Sequence, residues 1–233
     1  MVNAEEIQII WINNSNNKQR KENMLNILSK YFPNNKHHHV DAIIHNPKYQ
    51  GITMAHIVAL LKGIDTKKPF LILEDDIVVN VSLFNIKTLE QQLNILTKEP
   101  DAVYLGISNW GTKFKNGYAN IFKKNTDNAI QVKNTIYLKN GGKLETFNDY
   151  FAKCLDMYSA HAILYLSTEY ALRTLKFCIM AVTLSKPHDI YLVELMKTNL
   201  VLVLKNPWFY QSAHLGGQEP DTNFKLIDIK ETS

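Results

Sequence analysis

Arginine is nearly missing from this chain: its 233 residues hold Arg20 and Arg173 and no other. The basic excess is slight, 26 lysines and arginines against 22 aspartates and glutamates, for a formal charge of +4. Lysines scattered among asparagines read as solvated surface, and this balance argues against a nucleic-acid partner. Cysteine is scarce as well. Cys154 and Cys178 lie in apolar segments without the paired spacing of a zinc site, and buried free thiols are expected. No apolar run approaches the ~18 residues of a membrane span. The segment before Trp11 carries acids and no long apolar core, so no signal peptide is read there. A cytoplasmic location is the expectation, unless the chain is a piece of a longer one. No repeat or linker divides it, and one domain over residues 1–233 is expected. What is present, 45% hydrophobic and 21% charged residues, suits an α/β domain with a substantial core.

Strand and helix patterns alternate from residue 7 to 107. Ile7–Ile12 reads as a strand, Asn13–Asn17 as a polar loop, and Lys18–Tyr31 as a helix with Met24, Ile27 and Leu28 on one face. Val40–Ile44 reads as a second strand, with His37, His38 and His39 in a surface loop before it. Thr53 looks like the N-cap of a helix carrying Met54, Ile57, Val58, Leu61 and Ile64. Phe70–Leu73 and Ala102–Ile107 are further strands, with a helix capped by Asn85 between them. Such alternation predicts βαβ units and a mostly parallel sheet. Ligands of such sheets bind beyond the carboxyl ends of the strands, where Asn13 and residues 74–76 fall. Residues 109–149 change character, rich in Lys, Asn and Gly. Ile130–Leu138 and Lys143–Phe147 around Lys139-Asn140-Gly141-Gly142 suggest a hairpin excursion from the sheet. Regular elements then resume: a strand from Ser159, a helix capped by Ser167, a helix opened by His188-Asp189, and a strand Leu200–Leu204.

One segment carries the chemistry. Phe70-Leu71-Ile72-Leu73 ends in Glu74-Asp75-Asp76, and apolar character resumes at Ile77, Val78 and Val79. Unpaired carboxylates beside a buried strand are costly, so such a cluster usually has a cation to hold. A hard cation held by one or two carboxylates usually takes phosphate as another ligand. A solvated turn or a helix N-terminus is the plainer reading of three acids, and the apolar flanks weigh against it. The residues point to an enzyme that binds a nucleoside diphosphate through a divalent metal.

Several segments now stand in a telling order: Ile10-Trp11-Ile12-Asn13 with Arg20 and Met24; Gly51-Ile52-Thr53-Met54-Ala55-His56; Leu71-Ile72-Leu73-Glu74-Asp75-Asp76; Met157-Tyr158-Ser159-Ala160-His161-Ala162; Asp189-Ile190-Tyr191-Leu192; and Pro207-Trp208-Phe209-Tyr210-Gln211-Ser212. Together, over residues 7 to 215, they resemble the family 25 glycosyltransferases, the lipopolysaccharide and collagen-type galactosyl- and glucosyltransferases. The family commonly has Asn-Leu-Asp at the end of the first strand, where this chain has Ile12-Asn13-Asn14, and its run of arginines is reduced here to Arg20 with Lys18 and Lys21. The resemblance implies a GT-A type, Rossmann-like sheet flanked by helices. It implies a nucleotide-sugar donor, expected to be a UDP-sugar, with Mn2+ or Mg2+, and a glycan or glycoprotein acceptor.

Roles follow from that resemblance. Asp76 is expected as the direct metal ligand, with His214 as a late second ligand or, on the plainer reading, a solvated tail histidine. Glu74 would hold the ribose or a metal-bound water, while Asp75 alternates to the other face. Asn13 and Arg20 would face the nucleotide, Arg20 contacting phosphate or a carboxylate that shapes the pocket. Thr53 and His56 would line the donor crevice, or serve only as a helix cap and a packed histidine. Trp11 can stack on the base or belong to the core. Inversion needs a base for the acceptor hydroxyl; Asp189 is the candidate and Glu194 the reserve, although Asp189 can also be a plain helix-start acid. A nucleotide-sugar-binding partner domain without turnover is the alternative. A nucleotidyltransferase ranks lower, because the loop Asn13-Asn14-Ser15-Asn16-Asn17 lacks the glycines of a phosphate loop.

Overall fold

The computed structural model describes residues 2–107, 129–132, 135–138 and 142–217. Ten strands form one sheet. In chain order the elements are β1 (Gln8–Asn13), α1 (Lys18–Tyr31), β2 (His37–Asp41), α2 (Lys48–Asp65), β3 (Phe70–Glu74), β4 (Ile77–Val79), α3 (Ile86–Asn94) and β5 (Ala102–Tyr104). There follow β6 (Ala129–Val132), β7 (Thr135–Leu138), β8 (Lys143–Thr146), β9 (Phe151–Asp156), β10 (Ala162–Tyr165), α4 (Thr168–Thr183), α5 (Asp189–Met196), β11 (Val201–Leu204) and β12 (Phe209–Gln211). The sheet runs β2-β1-β3-β10-β5-β11-β9-β8-β7-β6. In its first six strands only β10 opposes the common direction, so the expected mostly parallel core is present. The expected excursion is present in its described part as antiparallel strands β6 to β9 that extend the sheet from β11. Ile130–Leu138 is two strands, β6 and β7, paired with each other, rather than one. Residues 109–128, 133–134 and 139–141 of that expectation lie outside the described residues.

The period-2 alternation of the strands sorts side chains onto two faces. Ile10, Ile12 and Ile72 meet α2, α4 and α5 through Ala55, Ala59, Leu60, Tyr170, Ala171, Leu192 and Met196. Ile9, Trp11, Leu71 and Leu73 meet α1 and α3 through Met24, Ile27, Leu28, Leu89 and Leu93. Each fully buried side chain of this kind contributes about 1.5–3 kcal/mol. Asn85 and Ser167 cap α3 and α4 as expected, accepting from Thr88 N at 3.0 Å and Tyr170 N at 3.1 Å. Cys154 and Cys178 are buried free thiols.

Two expectations fail here. The histidine triplet is not a loop but most of edge strand β2, paired with Ile9, Ile10 and Trp11 of β1. The chain leaves the strand after Asp41, and Ala42–Ile44 turns toward the ends of its neighbours. Thr53 is not a cap: α2 begins at Lys48, and the Thr53 hydroxyl donates to the Tyr49 carbonyl one turn back at 2.8 Å. Gly51 is what lets the helix start early. A Cβ there would lie 2.1 Å from the Ile43 carbonyl oxygen, so only glycine allows α2 to pack against that segment. Among the described residues, no helix is long and apolar enough to cross a membrane.

Candidate functional site

A cavity of about 420 Å³ opens at the carboxyl ends of β1, β2 and β3. Its walls come from the loop after β1 and the start of α1 (Asn14, Asn17, Arg20), the segment after β2 (Ala42 to His45), the start of α2 (Lys48, Gly51, Ile52, His56) and the acids Glu74, Asp75 and Asp76. It combines three acids, two cations and an aliphatic wall of Ile43, Ile44 and Ile52.

The acids are not equivalent. Asp75 is buried, and both its oxygens are engaged. Oδ1 accepts from Arg20 Nη1 at 2.8 Å, while Oδ2 accepts from Asn13 Nδ2 at 2.7 Å and Asn14 N at 3.2 Å. Arg20 also donates through Nε to the Leu215 carbonyl at 2.6 Å, tying α1 to the closing segment. Gly216, with φ +80, makes the turn beside it, and a Cβ there would come within 2.9 Å of Arg20 Nη2. Asp75 thus lines the cavity while holding Arg20 and Asn13 in place, and Asn13, expected to face the nucleotide, is fully buried and is not part of the cavity wall.

Glu74 and Asp76 face the cavity and converge on one donor. Gln211 Nε2 lies 3.2 Å from Glu74 Oε2 and 3.2 Å from Asp76 Oδ1. Glu74 Oε1 sits 2.9 Å from His56 Nε2. Burial, then the charges of Asp75 and Asp189, raises the Glu74 carboxyl to about 7. Burial, then Glu74, raises Asp76 to about 7. Burial lowers His56 to about 4. Low polarity disfavours charge on both partners, so His56 and Glu74 form a neutral hydrogen-bonded pair rather than an ion pair in mildly acidic solution.

Behind this wall lies a group that sequence reasoning missed. The His188 ring packs 4.7 Å from that of His56. Its Nδ1 is 3.1 Å from Thr53 Oγ1. That hydroxyl spends its only hydrogen on the Tyr49 carbonyl, so it accepts from His188, and the Nδ1 carries the proton. His188 Nε2 is then a buried acceptor with no hydrogen-bond partner among the described residues. The sequence offers Pro187-His188-Asp189 at a helix start and nothing that ties it to α2. Lys48, Ile43 and His45, which line the cavity, and Gln211, which bonds its acids Glu74 and Asp76, were likewise unassigned, because each is placed only by tertiary packing.

The remaining expectations divide. His56, Glu74, Asp76 and Arg20 are brought together at the cavity. Thr53 is fully buried and serves His188. Trp11 is a core residue, 5% exposed, with its ring tilted against that of His39 at 4.3 Å and absent from the cavity wall; strand alternation puts it in the layer of α1. Asp189 begins α5 and accepts from Ile190 N at 2.9 Å. Burial raises its carboxyl, and it stands near enough to Glu74 to push that group upward, but it is not part of the cavity wall. Glu194 is exposed on α5, paired with Lys197 at 2.6 Å, and is not part of the cavity wall. His214 is exposed, with Nε2 3.3 Å from Gln19 Nε2, so it does not join Asp76. Among the described residues no group of three or more His, Cys, Asp or Glu side chains is arranged to hold a metal ion.

No protein-family model matches the chain, and no match is found among curated proteins. Among solved structures the chain is similar to CTP:phosphocholine cytidylyltransferase from Streptococcus pneumoniae, at 9% sequence identity and a TM-score of 0.40, over 89% of this chain and 93% of that one. A likeness at this level carries no argument about ligand or reaction. The family 25 resemblance thus stands on its motifs alone.

Proposed function

We infer that this chain is a metal-dependent glycosyltransferase that moves a hexose from a nucleoside-diphosphate sugar, a UDP-sugar being the first donor to test, to a hydroxyl of a glycan or protein with inversion at the sugar carbon. The observation that carries the reading is the convergence of Glu74 and Asp76 on one wall of a cavity that also receives Arg20 and Lys48. Carboxylates suit a hard divalent cation, and the two cationic side chains suit phosphate oxygens. The volume is in the range of small-molecule sites.

The donor set fits such an ion. Glu74 and Asp76 offer hard oxygens, and an amide N–H group, a weak positive end, now stands between them. They would hold the ion, which when bound neutralises charge developing on the leaving diphosphate. Arg20 is fixed by Asp75 and so presents its remaining guanidinium edge at a set position. Ile43, Ile44 and Ile52 provide apolar surface against which a base or sugar can exclude water. Asp189 takes the proton from the acceptor hydroxyl, and the burial that raises its carboxyl makes it a stronger base.

A thermal-shift panel of nucleotide sugars with Mn2+ or with EDTA tests the reading. A bound donor raises the melting point by mass action, equivalent to about 2.7 kcal/mol at a hundredfold excess over Kd. The expected result is a shift with a UDP-sugar that requires Mn2+; a flat panel removes the transferase assignment. One observation favours a binding domain without turnover: Asp189 is not part of the cavity wall. Release of UDP from a bound UDP-sugar separates the two.

A further inference from the structure

Gln211 occupies the point where the two cavity carboxylates meet. Its Nε2 lies 3.2 Å from Glu74 Oε2, 3.2 Å from Asp76 Oδ1 and 3.4 Å from Asp76 Oδ2. Its backbone is held there. Gln211 pairs with Ile77 across the β12–β4 ribbon, Ser212 N donates to the Asp76 carbonyl at 2.8 Å, and Gly217 N donates to the Ser212 carbonyl at 2.7 Å. The terminal amide torsion is soft and nearly two-fold, so nitrogen and oxygen can exchange places without backbone movement. Between two carboxylates the N–H arm faces inward because both neighbours accept. With a cation there, the oxygen arm is the favoured one, since amide oxygens are ordinary ligands of hard cations.

We propose that Gln211, and not His214, supplies the third protein oxygen for the divalent cation, its amide turning over to present Oε1 when the ion enters between Glu74 and Asp76. This rests on the reading of the cavity as a cation-dependent donor site. It assigns the closing segment a ligand in place of the exposed histidine three residues further on. It also fits the finding that, among the described residues, no three His, Cys, Asp or Glu side chains are arranged to hold an ion by themselves.

The test is direct Mn2+ titration of the full chain, followed by the electron paramagnetic resonance signal of the free ion. The wild type is compared with Gln211→Met, Gln211→Glu and His214→Ala. Melting in EDTA checks each fold, and Gln211→Ala stands in if Gln211→Met does not melt like the wild type. Gln211→Met is expected to weaken Mn2+ binding at least about tenfold, in the range seen for groups around a metal. Gln211→Glu should bind at least as tightly as the wild type, because it keeps an oxygen and adds charge. His214→Ala should stay within about twofold of the wild type. If the amide acts only as a donor to the carboxylates, Gln211→Met frees their oxygens and binds Mn2+ at least as tightly as the wild type, and the proposal fails. It also fails if His214→Ala loses the ion while Gln211→Met keeps it, a result that leaves the donor-site reading intact. A wild type that binds no Mn2+ overturns the proposal. UDP titration with and without Mn2+ then decides whether the donor-site reading falls with it.

Discussion

On one side of the β3 end, Asp75 gives one oxygen to Arg20 at 2.8 Å and the other to Asn13 at 2.7 Å. On the other side, Glu74 and Asp76 share the single Gln211 amide, 3.2 Å from each. The three carboxylates are consecutive, yet one is saturated by a guanidinium and an amide while two face a cavity with too little positive charge. The difference teaches how a strand end builds a site. The strand stops at Glu74, and in the turn that follows Asp75 is held by Arg20, Asn13 and Asn14 N, where it fixes the loop after β1, while Glu74 and Asp76 converge on Gln211. Charge balance then sets these two apart: burial, then Asp75 and Asp189, raises Glu74 to about 7, and burial, then Glu74, raises Asp76 to about 7.

The comparison can be broken most forcefully at Asp76. Asp76→Asn is expected to lower Mn2+-dependent UDP release from a UDP-sugar by about a thousandfold, roughly 4 kcal/mol, with the fold intact by circular dichroism. Equal turnover in mutant and wild type would erase the functional side of the contrast. The opposite outcome is expected at Asp75. Asp75→Ala strands the Arg20 guanidinium and should cost about 3 kcal/mol in urea denaturation.

A smaller effect follows from protonation. The Asp76 carboxyl is raised in the folded chain from its ordinary 3.8 to about 7, so the folded form holds the extra proton between those values. Stability from this group therefore falls as pH rises through that window, and the full cost is present above it. Asp76→Asn should raise the melting point by a few degrees, on the order of 2–4 °C, at pH 8 and by less at pH 4. A gain that is the same at both pH values would mean that the carboxyl is not underpaired. The smallest effects belong to residues excluded from the site. Glu194→Ala, an exposed partner of Lys197, should change UDP-sugar turnover less than twofold and stability by under about 0.5 kcal/mol.

Much of the fold was legible because it depends on local periodicity. The α1 stripe of Met24, Ile27 and Leu28, the apolar run Phe70–Leu73 and the caps at Asn85 and Ser167 each act over a few residues, and each appears where the pattern puts it. Thr53 misled because a hydroxyl that bonds back to the carbonyl four residues earlier looks, in sequence, like a cap. The β2 histidines misled because an edge strand tolerates polar side chains that a central strand does not. Trp11 was readable in both ways until alternation, fixed by the β1–β3 register, assigned it to the core.

By itself the sequence determined that three acids follow a buried strand in an α/β sheet, since hydrophobic pattern and charge are properties of neighbouring residues. Only the tertiary structure decided which acid is paired with a cation and which two converge on an amide. Gln211 lies 135 residues from Asp76, and Arg20 lies 55 residues from Asp75. Contacts across such separations are set by how helices and strands pack, and a carboxylate takes its charge state from those contacts.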